Sequence, residues 1–336
     1  MKFRRRIRNA FYSPGLIYTV IRNIKEQKQF IRETINPQLE AARKEADGTM
    51  DDRDFKKITC YYGLAVPAVL GEAFCALRGR PMTHLERTAS TYQGVITGLG
   101  DDFFDKREVN NEALRSMIDQ PQQFEGGDAF EKLSLQFLKT ALSSVPDPKR
   151  MQEQLGKVYL AQVRSRSQSA PGLSYEEMLD ITIQKGAESL LFYRTVFSNP
   201  MNIREEKALY CLGGLMQLSN DIFDVYEDQQ QGINTLLTTA KNMGPIRTLF
   251  LSLMQMGYEA AYRTRYPRRN VKRFIDIISI AIFSRCLVCL DQLESKEKLS
   301  NNVFTPDRYK RKDLVCDMDT PVNKWRSVKY HIKYAE

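Results

Sequence analysis

The stretch Gly100-Asp101-Asp102-Phe103-Phe104-Asp105 places three carboxylates within five residues, directly after an apolar helical pattern. An α-helix turns by about 100° per residue, so Asp101 and Asp105 lie about 40° apart on one face, whereas Asp102 points elsewhere. Carboxylates that share a helix face repel each other, and a divalent cation held between them relieves the repulsion. Mg²⁺ prefers one or two carboxylates together with phosphate oxygens and water. The stretch therefore indicates either a magnesium site or a solvated acidic helix end.

A second acidic stretch occupies residues 220–228, at the end of another apolar helical pattern. Asn220, Asp224 and Asp228 are spaced by four residues, so their oxygen-bearing side chains follow one stripe of the helix. Glu227 follows Asn220 by seven residues and lies on the same stripe. Alone, this stretch could also be a solvated helix end. Together, two such stretches in a helical chain could hold Mg²⁺ ions that bind and ionise a diphosphate, beside an apolar cavity for a hydrocarbon tail.

The rest of the chain has the pattern of an all-α protein. Apolar residues recur at helical spacing through most of the 336 residues, whereas alternating β-branched runs are nearly absent. Breaks at proline, glycine and asparagine divide the pattern into about ten helices. Because no repeat and no linker divides the helical part, we expect one all-α domain at residues 36–336, preceded by a basic amphipathic segment at residues 1–35.

The net charge of +9 indicates an anionic partner, which could be nucleic acid, a membrane surface or a phosphorylated substrate. Basic and acidic residues interleave and form no recognised nucleic-acid motif, so nucleic acid is not expected. The first amphipathic helix carries Arg22, Lys25, Lys28 and Arg32 on its polar face, after four arginines within residues 4–8. This segment either lies peripherally on an anionic bilayer or packs on the protein body.

The cysteines and the apolar runs indicate the cellular compartment in which the protein is expected. Six cysteines are scattered, and with only two histidines in the chain a zinc site is not expected. Free thiols suit a reducing compartment. The basic start has no long apolar region after it, so we expect no signal peptide, and the apolar runs at residues 61–77 and 274–283 are not convincing membrane spans. The expected location is the cytoplasm, in contact with the inner face of the membrane if the basic segment binds lipid.

Both acidic stretches resemble motifs of one enzyme superfamily. DDFFD at residues 101–105 resembles the DDxxD motif of class I isoprenoid synthases, which include terpene cyclases and prenyl diphosphate synthases. NDIFDVYED at residues 220–228 resembles their second metal motif, between the NSE form of bacterial cyclases and the aspartate form of prenyltransferases. The resemblance covers roughly residues 36–235 and extends more distantly to the large-terpene synthases. It implies a single-domain helical bundle of the class I type with a central apolar active-site cavity.

The resemblance also implies roles for individual residues. The implied metal ligands come from both motifs: Asp101, Asp102, Asp105, Asn220, Asp221, Asp224, Glu227 and Asp228. The implied diphosphate-binding residues are Arg164 or Arg166, Lys185, and the pair Arg308-Tyr309. Each of these basic residues could equally be a solvated surface charge. A second Arg-Tyr pair, Arg265-Tyr266, has the same sequence as Arg308-Tyr309 and is therefore an alternative to it. Within the first motif, Asp101 and Asp105 are the expected ligands, and Asp102 is expected to orient a basic neighbour.

The function that the resemblance implies is that of a terpene synthase, a carbon–oxygen lyase acting on phosphates. It would ionise a linear allylic prenyl diphosphate with a cluster of three Mg²⁺ ions, or with Mn²⁺, and cyclise the carbocation to a hydrocarbon or an alcohol. A prenyltransferase, by chain elongation or by squalene- or phytoene-type condensation, is the alternative. Arg78-Gly79-Arg80-Pro81 only faintly matches the Gly-Lys-Arg-x-Arg-Pro stretch of elongating enzymes, which favours the cyclase. A non-catalytic helical scaffold is the remote alternative, and the oligomeric state, a homodimer included, stays open.

Overall fold

The structure, a computed structural model, describes residues 2–44, 47–105 and 111–335, without the side chains of residues 2, 3, 101–105, 111 and 113. Within these ranges every regular element is helical and no strand occurs, which confirms the all-α prediction. The chain forms two compact units. Unit 1 comprises Met1–Ile17, Ala161–Leu191 and Met201–Glu336, and unit 2 comprises Tyr18–Leu160 and Phe192–Pro200. The domain boundary expected at residue 35 stays a prediction.

The N-terminal half contains long helices interrupted by π-helical turns. The elements are α1 (Lys2–Phe30), a π turn (Ile31–Ile35), α2 (Asn36–Lys44), α3 (Asp52–Lys56), a π turn (Lys57–Tyr62), α4 (Gly63–Ala65), a π turn (Val66–Gly71), α5 (Glu72–Arg78), α6 (His84–Asp105), α7 (Asn111–Asp119), α8 (Ala129–Ser144) and α9 (Pro148–Ser165). The segment from α3 to α5 is one continuous helical rod, Asp52–Arg78.

That rod is the one helix of the described residues that is long and apolar enough to cross a membrane, by length and composition alone. More than half of its apolar window is buried within the protein. α6 packs on the rod and on α8, and glycines allow the closest approach, since a Cβ on Gly94 would lie 2.5 Å from the carbonyl oxygen of Tyr62. The α6 backbone is helical through Asp105, so the first acidic motif lies on a helix, and the helix end predicted there lies outside the described residues.

In the C-terminal half, every regular element of the described residues is a helix or a helical turn. The elements are α10 (Tyr175–Arg194), α11 (Ile203–Gln231), α12 (Met243–Tyr262), α13 (Arg268–Ile278), a π turn (Ser279–Phe283), α14 (Ser284–Leu299), α15 (Arg311–Leu314) and α16 (Pro321–Tyr334). A capping box starts α10, because the Ser174 amide donates to the Glu177 carboxylate at 2.8 Å and the Glu177 amide donates to the Ser174 hydroxyl at 3.2 Å. In unit 1, α11 packs on α12 and α14, and α14 packs on α16.

An ion-pair network joins three of these helices. Arg247 of α12 binds Asp291 at 2.8 Å and also Glu294, both on α14. Arg326 of α16 binds the second oxygen of Asp291 at 2.7 Å, and the Tyr330 hydroxyl donates to Asp291 at 2.6 Å. Because these groups are partly shielded from water, the network fixes α14, against which the end of α11 is positioned.

In unit 1, glycines allow the backbones of α10 and α11 to approach each other closely. A Cβ built on Gly186 would clash with the carbonyl oxygen of Gly213, and a Cβ on Gly213 would lie 2.5 Å from the Cα of Ala187. A Cβ on Gly214 would lie 2.5 Å from the Ile183 side chain. Only glycine lets two helix backbones come this close, although it costs helix stability. The contact brings the side chains next to Gly186 on α10 against the C-terminal half of α11.

We expect Gly186→Ala to destabilise the protein by about 1–3 kcal/mol, because the added methyl group overpacks the α10–α11 contact and outweighs the better helix propensity of alanine. The free energy of unfolding from chemical denaturation measures the effect. The matched control is Gly15→Ala in α1, where an added Cβ meets no atom within 4 Å. Equal stabilities of the two variants would contradict this account of the contact.

Candidate functional site at the end of α11

The second acidic motif occupies the C-terminal part of α11. Asp221 is buried, Asp224 and Asp228 are half-buried, and Asn220 and Glu227 are exposed. The Asn220 side-chain amide donates to Asp224 Oδ2 at 2.8 Å, so the two side chains lie on one stripe, as the spacing predicts. The stripe therefore runs from solvent into a partly water-excluded region.

Asp221 connects α11 to α10. Its Oδ1 accepts a hydrogen bond from the Gln217 side chain at 2.9 Å, and its Oδ2 accepts one from the Thr182 hydroxyl at 3.3 Å. Burial raises the pKa of Asp221 to about 6, although these two bonds and the charge of Lys185 oppose the rise. Both oxygens of this predicted metal ligand are thus engaged within the protein. Its place in the structure is a buried contact that fixes the register of the two helices.

Asp224 and Asp228 have raised pKa values for two reasons. Burial is the largest cause for both, and repulsion from neighbouring carboxylates adds to it. The pKa of Asp224 rises to about 6, with Asp221 and Glu227 contributing, and the pKa of Asp228 rises to about 8, with Asp221 and Asp224 contributing. The charge of Lys185 opposes both rises. Near neutral pH these carboxylates are therefore partly protonated unless a bound cation neutralises their charge.

Two cations of unit 1 lie beside this cluster, and a third lies near the ring of Phe223. Lys185 of α10 is half-buried and lies close enough to act on all three aspartates. Arg311 of α15 lies 3.9 Å from Glu227 and 6.0 Å from the Tyr226 ring centre. Arg285 of α14 lies 5.9 Å from the Phe223 ring centre. Because the Arg311–Glu227 pair is exposed, it stabilises the fold little, so Arg311 is available to an anion.

The sequence analysis missed four residues around the cluster. They are Thr182, Gln217, Arg285 and Arg311. Gln217 was detectable, because it precedes Asp221 by four residues and such pairs meet on a helix face. The other three come from separate helices, and no pattern within the sequence places them beside α11.

The remaining predicted cations differ in their surroundings. Arg164 is exposed and binds Asp180 Oδ2 and Gln184 Oε1 of α10, both at 2.6 Å. Arg166 is exposed at the start of a 3₁₀ turn (Arg166–Ser169). Arg308 is exposed in a 3₁₀ turn (Pro306–Arg308) that packs against α11.

Tyr309 holds the segment that carries Arg308. Its hydroxyl donates to the Ser300 hydroxyl at 3.0 Å, and its ring centre lies 5.4 Å from that of Phe304. The similar pair Arg265-Tyr266 lies elsewhere, since the Tyr266 hydroxyl donates to Glu205 at the beginning of α11, at 2.9 Å. Glu205 and Asp228 are separated along the helix by about 35 Å at 1.5 Å per residue. Only the Arg308-Tyr309 pair is therefore associated with the acidic end of α11.

The first motif is described only by its backbone. The side chains of Asp101, Asp102 and Asp105 lie outside the described residues, so their role as ligands stays a prediction.

Among the residues that the structure does describe, no three His, Cys, Asp or Glu side chains converge as a ready-made metal site. Unit 2 contains a cavity of about 750 Å³, and none of the predicted site residues lines it. The expected central apolar cavity likewise stays a prediction.

Without divalent cations, we expect the free energy of unfolding to fall as the pH rises from 3.8 to about 8. Across this window the folded protein keeps the proton on Asp228, whereas an unfolded aspartate has lost it, so each rise in pH favours the unfolded chain. The loss is complete above the folded pKa. Asp228→Asn removes this group and should flatten the dependence.

Thermal unfolding with a chelator across this pH range measures the effect. The control is Asp319→Asn, at an exposed carboxylate of unit 1. A pH profile of Asp228→Asn parallel to that of the unsubstituted protein would show that Asp228 titrates normally.

Comparison with known proteins gave no match to this chain. No protein-family model, curated protein or solved structure matches the chain. The all-α fold and the arrangement at the end of α11 therefore come from this structure, and the relation to class I isoprenoid synthases stays a prediction from the two motifs.

Proposed function

We propose that the protein is a class I terpene synthase, which ionises a linear allylic prenyl diphosphate with Mg²⁺ and cyclises the carbocation. One observation carries the proposal: the stripe Asn220, Asp224 and Asp228 is partly buried, electrostatically strained and held beside Lys185. Half-buried carboxylates with raised pKa values are more typical of functional sites than of solvated helix ends. The resemblance of the two acidic motifs supports the substrate class.

The donor atoms of the stripe suit Mg²⁺. Carboxylate and amide oxygens are hard ligands, and a cation would relieve the repulsion that raises the pKa values of Asp224 and Asp228. We propose Asn220, Asp224 and Asp228 as ligands, with Asp101 and Asp105 of the first motif as further ligands on sequence grounds. Bound Mg²⁺ supplies Lewis-acid activation of the diphosphate leaving group.

The basic residues of unit 1 would bind and orient the diphosphate. Lys185 contributes a partly desolvated charge beside the stripe. Arg308 and Arg311 lie on the C-terminal segment that packs against α11, and a guanidinium binds phosphate oxygens in a bidentate manner. Arg164 would have to exchange its contacts with Asp180 and Gln184 to reach a phosphate. Asp221 acts indirectly, because it holds α10 and α11 in register.

Product analysis tests the proposal directly. The purified protein is incubated with Mg²⁺ and geranyl, farnesyl, geranylgeranyl or longer linear prenyl diphosphates, and products are identified by gas chromatography–mass spectrometry. A cyclic hydrocarbon or alcohol from a single substrate supports a cyclase. Product formation that requires added isopentenyl diphosphate, or that joins two allylic substrates head to head, identifies a prenyltransferase instead. The absence of any diphosphate turnover would refute both.

Asp224→Asn should lower kcat/KM by about a hundredfold to a thousandfold, because it removes a charged ligand that stabilises the developing diphosphate. Asp101→Asn should have a similar effect if the first motif also binds metal. The control Asp319→Asn makes the same chemical change at an exposed site of unit 1. Retention of normal kcat/KM by both Asp224→Asn and Asp101→Asn would eliminate the metal mechanism.

Binding of Mg²⁺ should release protons between about pH 6 and pH 8, because Asp224 and Asp228 must lose the protons that their raised pKa values retain. Titration calorimetry in two buffers of different ionisation enthalpy counts the released protons without any turnover. Asp228→Asn should reduce the number released at pH 8. Proton release that is unchanged in Asp228→Asn would place the metal elsewhere.

A further inference from the structure

The cavity of unit 2 has a wall that is unusually basic. It measures about 750 Å³, within the usual range for small-molecule sites. Five cations and two carboxylates line it, together with neutral residues; the charged residues are Arg22, Lys25, Lys28, Arg32, Arg43, Glu26 and Glu40. Most of them follow one face of the continuous helix formed by α1, its π turn and α2. The facing wall is formed by Phe55, Thr59 and Cys60 of the following rod.

Glu26 and Glu40 together do not neutralise this wall, because Glu40 can offset only one of the five cations. Glu26 lies 3.5 Å from Arg22 and 3.7 Å from Arg87, which is outside the lining, so its charge is already balanced. Among the described residues, no carboxylate lies within ion-pair distance of Lys25, Lys28 or Arg32, all of which are exposed. The cavity therefore presents uncompensated positive charge, which attracts an anion.

The floor of the cavity is apolar. Ile31, Leu39 and Phe55 are exposed by 4%, 5% and 8% respectively, yet all three line it. The Arg43 guanidinium lies 4.1 Å from the centre of the Phe55 ring, so this cation is held against the floor by the ring face. A ligand that fills the cavity thus meets a hydrocarbon surface below and cations at the rim.

Both walls contain a π-helical turn at the cavity. Ile31 and Arg32 belong to the turn Ile31–Ile35, and Thr59 and Cys60 belong to the turn Lys57–Tyr62. π-Helical turns are rare and are frequent at functional sites. Two of them on opposite walls of one cavity form a second observation, independent of charge, that this region is specialised.

We propose that this cavity binds a phosphate-bearing amphiphile, with the phosphate contacted by Lys28 and Arg32 and the hydrocarbon part lying on Ile31, Leu39 and Phe55. Charge-assisted hydrogen bonds to phosphate and burial of apolar area together match the two surfaces of the cavity. The site is separate from the function proposed above, because none of the residues assigned to that function lines it. The same chemistry is offered by a soluble alkyl phosphate and by an acidic phospholipid in a bilayer.

Cys60 provides a direct probe of occupancy. The six cysteines are free thiols in this structure, and Cys60 is the exposed one, while the other five are buried or half-buried. The intact protein is alkylated with iodoacetamide, and the modification rate of the Cys60 peptide is followed by mass spectrometry with octyl phosphate, inorganic phosphate or octanol present. Octyl phosphate should slow alkylation in a saturable manner, whereas phosphate and octanol at equal concentration should not.

Charge-reversed variants test the cation contacts. Lys28→Glu combined with Arg32→Glu should weaken protection by octyl phosphate about a hundredfold, from the loss of charge-assisted bonds. The matched control, Lys149→Glu combined with Lys157→Glu, makes the same charge change at exposed residues of α9 and should be protected normally. Circular dichroism confirms that both variants are folded.

Phosphatidylcholine vesicles, with and without phosphatidic acid, separate the two sources of the ligand. Protection by monomeric octyl phosphate assigns a soluble amphiphile, and protection by phosphatidic acid vesicles alone assigns a membrane lipid; both support the phosphate-amphiphile site. Three results overturn it: octanol protects as well as octyl phosphate, the variant with reversed Lys28 and Arg32 is protected normally, or no probe protects Cys60.

Discussion

The contact between the backbones of Gly186 and Gly213 is the constraint on which the candidate site depends. It sets the separation of α10 and α11, and Thr182, Lys185 and Asp221 then come within interaction distance. A larger separation would leave Asp221 without Thr182 and would move Lys185 away from Asp224 and Asp228. The energy that two glycines cost in helix propensity is thus offset by the close packing of the two helices and by the contacts of Asp221 with Thr182 and Lys185.

The carboxylates at the end of α11 are stabilised only in part. A single lysine and a few hydrogen bonds oppose burial and mutual repulsion, and the pKa of Asp228 still rises to about 8. Residual repulsion of this kind lowers the stability of the folded protein, and it is the property that makes a cation bind favourably. Stability and cation affinity therefore change in opposite directions at this cluster, as they commonly do at functional sites.

The sequence predicted those features that depend on residue spacing along a single helix. The all-α class, the helical backbone of the DDFFD stretch and the Asn220–Asp224 contact follow from spacing along a helix. The burial of Asp221 and the approach of Arg285 and Arg311 depend on packing between helices, which residue spacing does not encode. The resemblance named Lys185 as a diphosphate-binding residue, but the sequence could not identify α11 as the helix whose aspartates lie beside it.

The π-helical turns have a consequence for how this chain can vary. A π turn holds one residue more than an α-helical turn of the same length, so the deletion of one residue within Val66–Gly71 could leave a continuous helix. Because the π turn and the α turn that replaces it complete the same rotation, side chains after the deletion would keep their faces, and Phe74 and Leu77 would stay buried. A single-residue deletion is therefore tolerated better at a π turn than in a regular part of the same rod, and a helical wheel drawn at about 100° per residue across a π turn assigns the later side chains to the wrong faces.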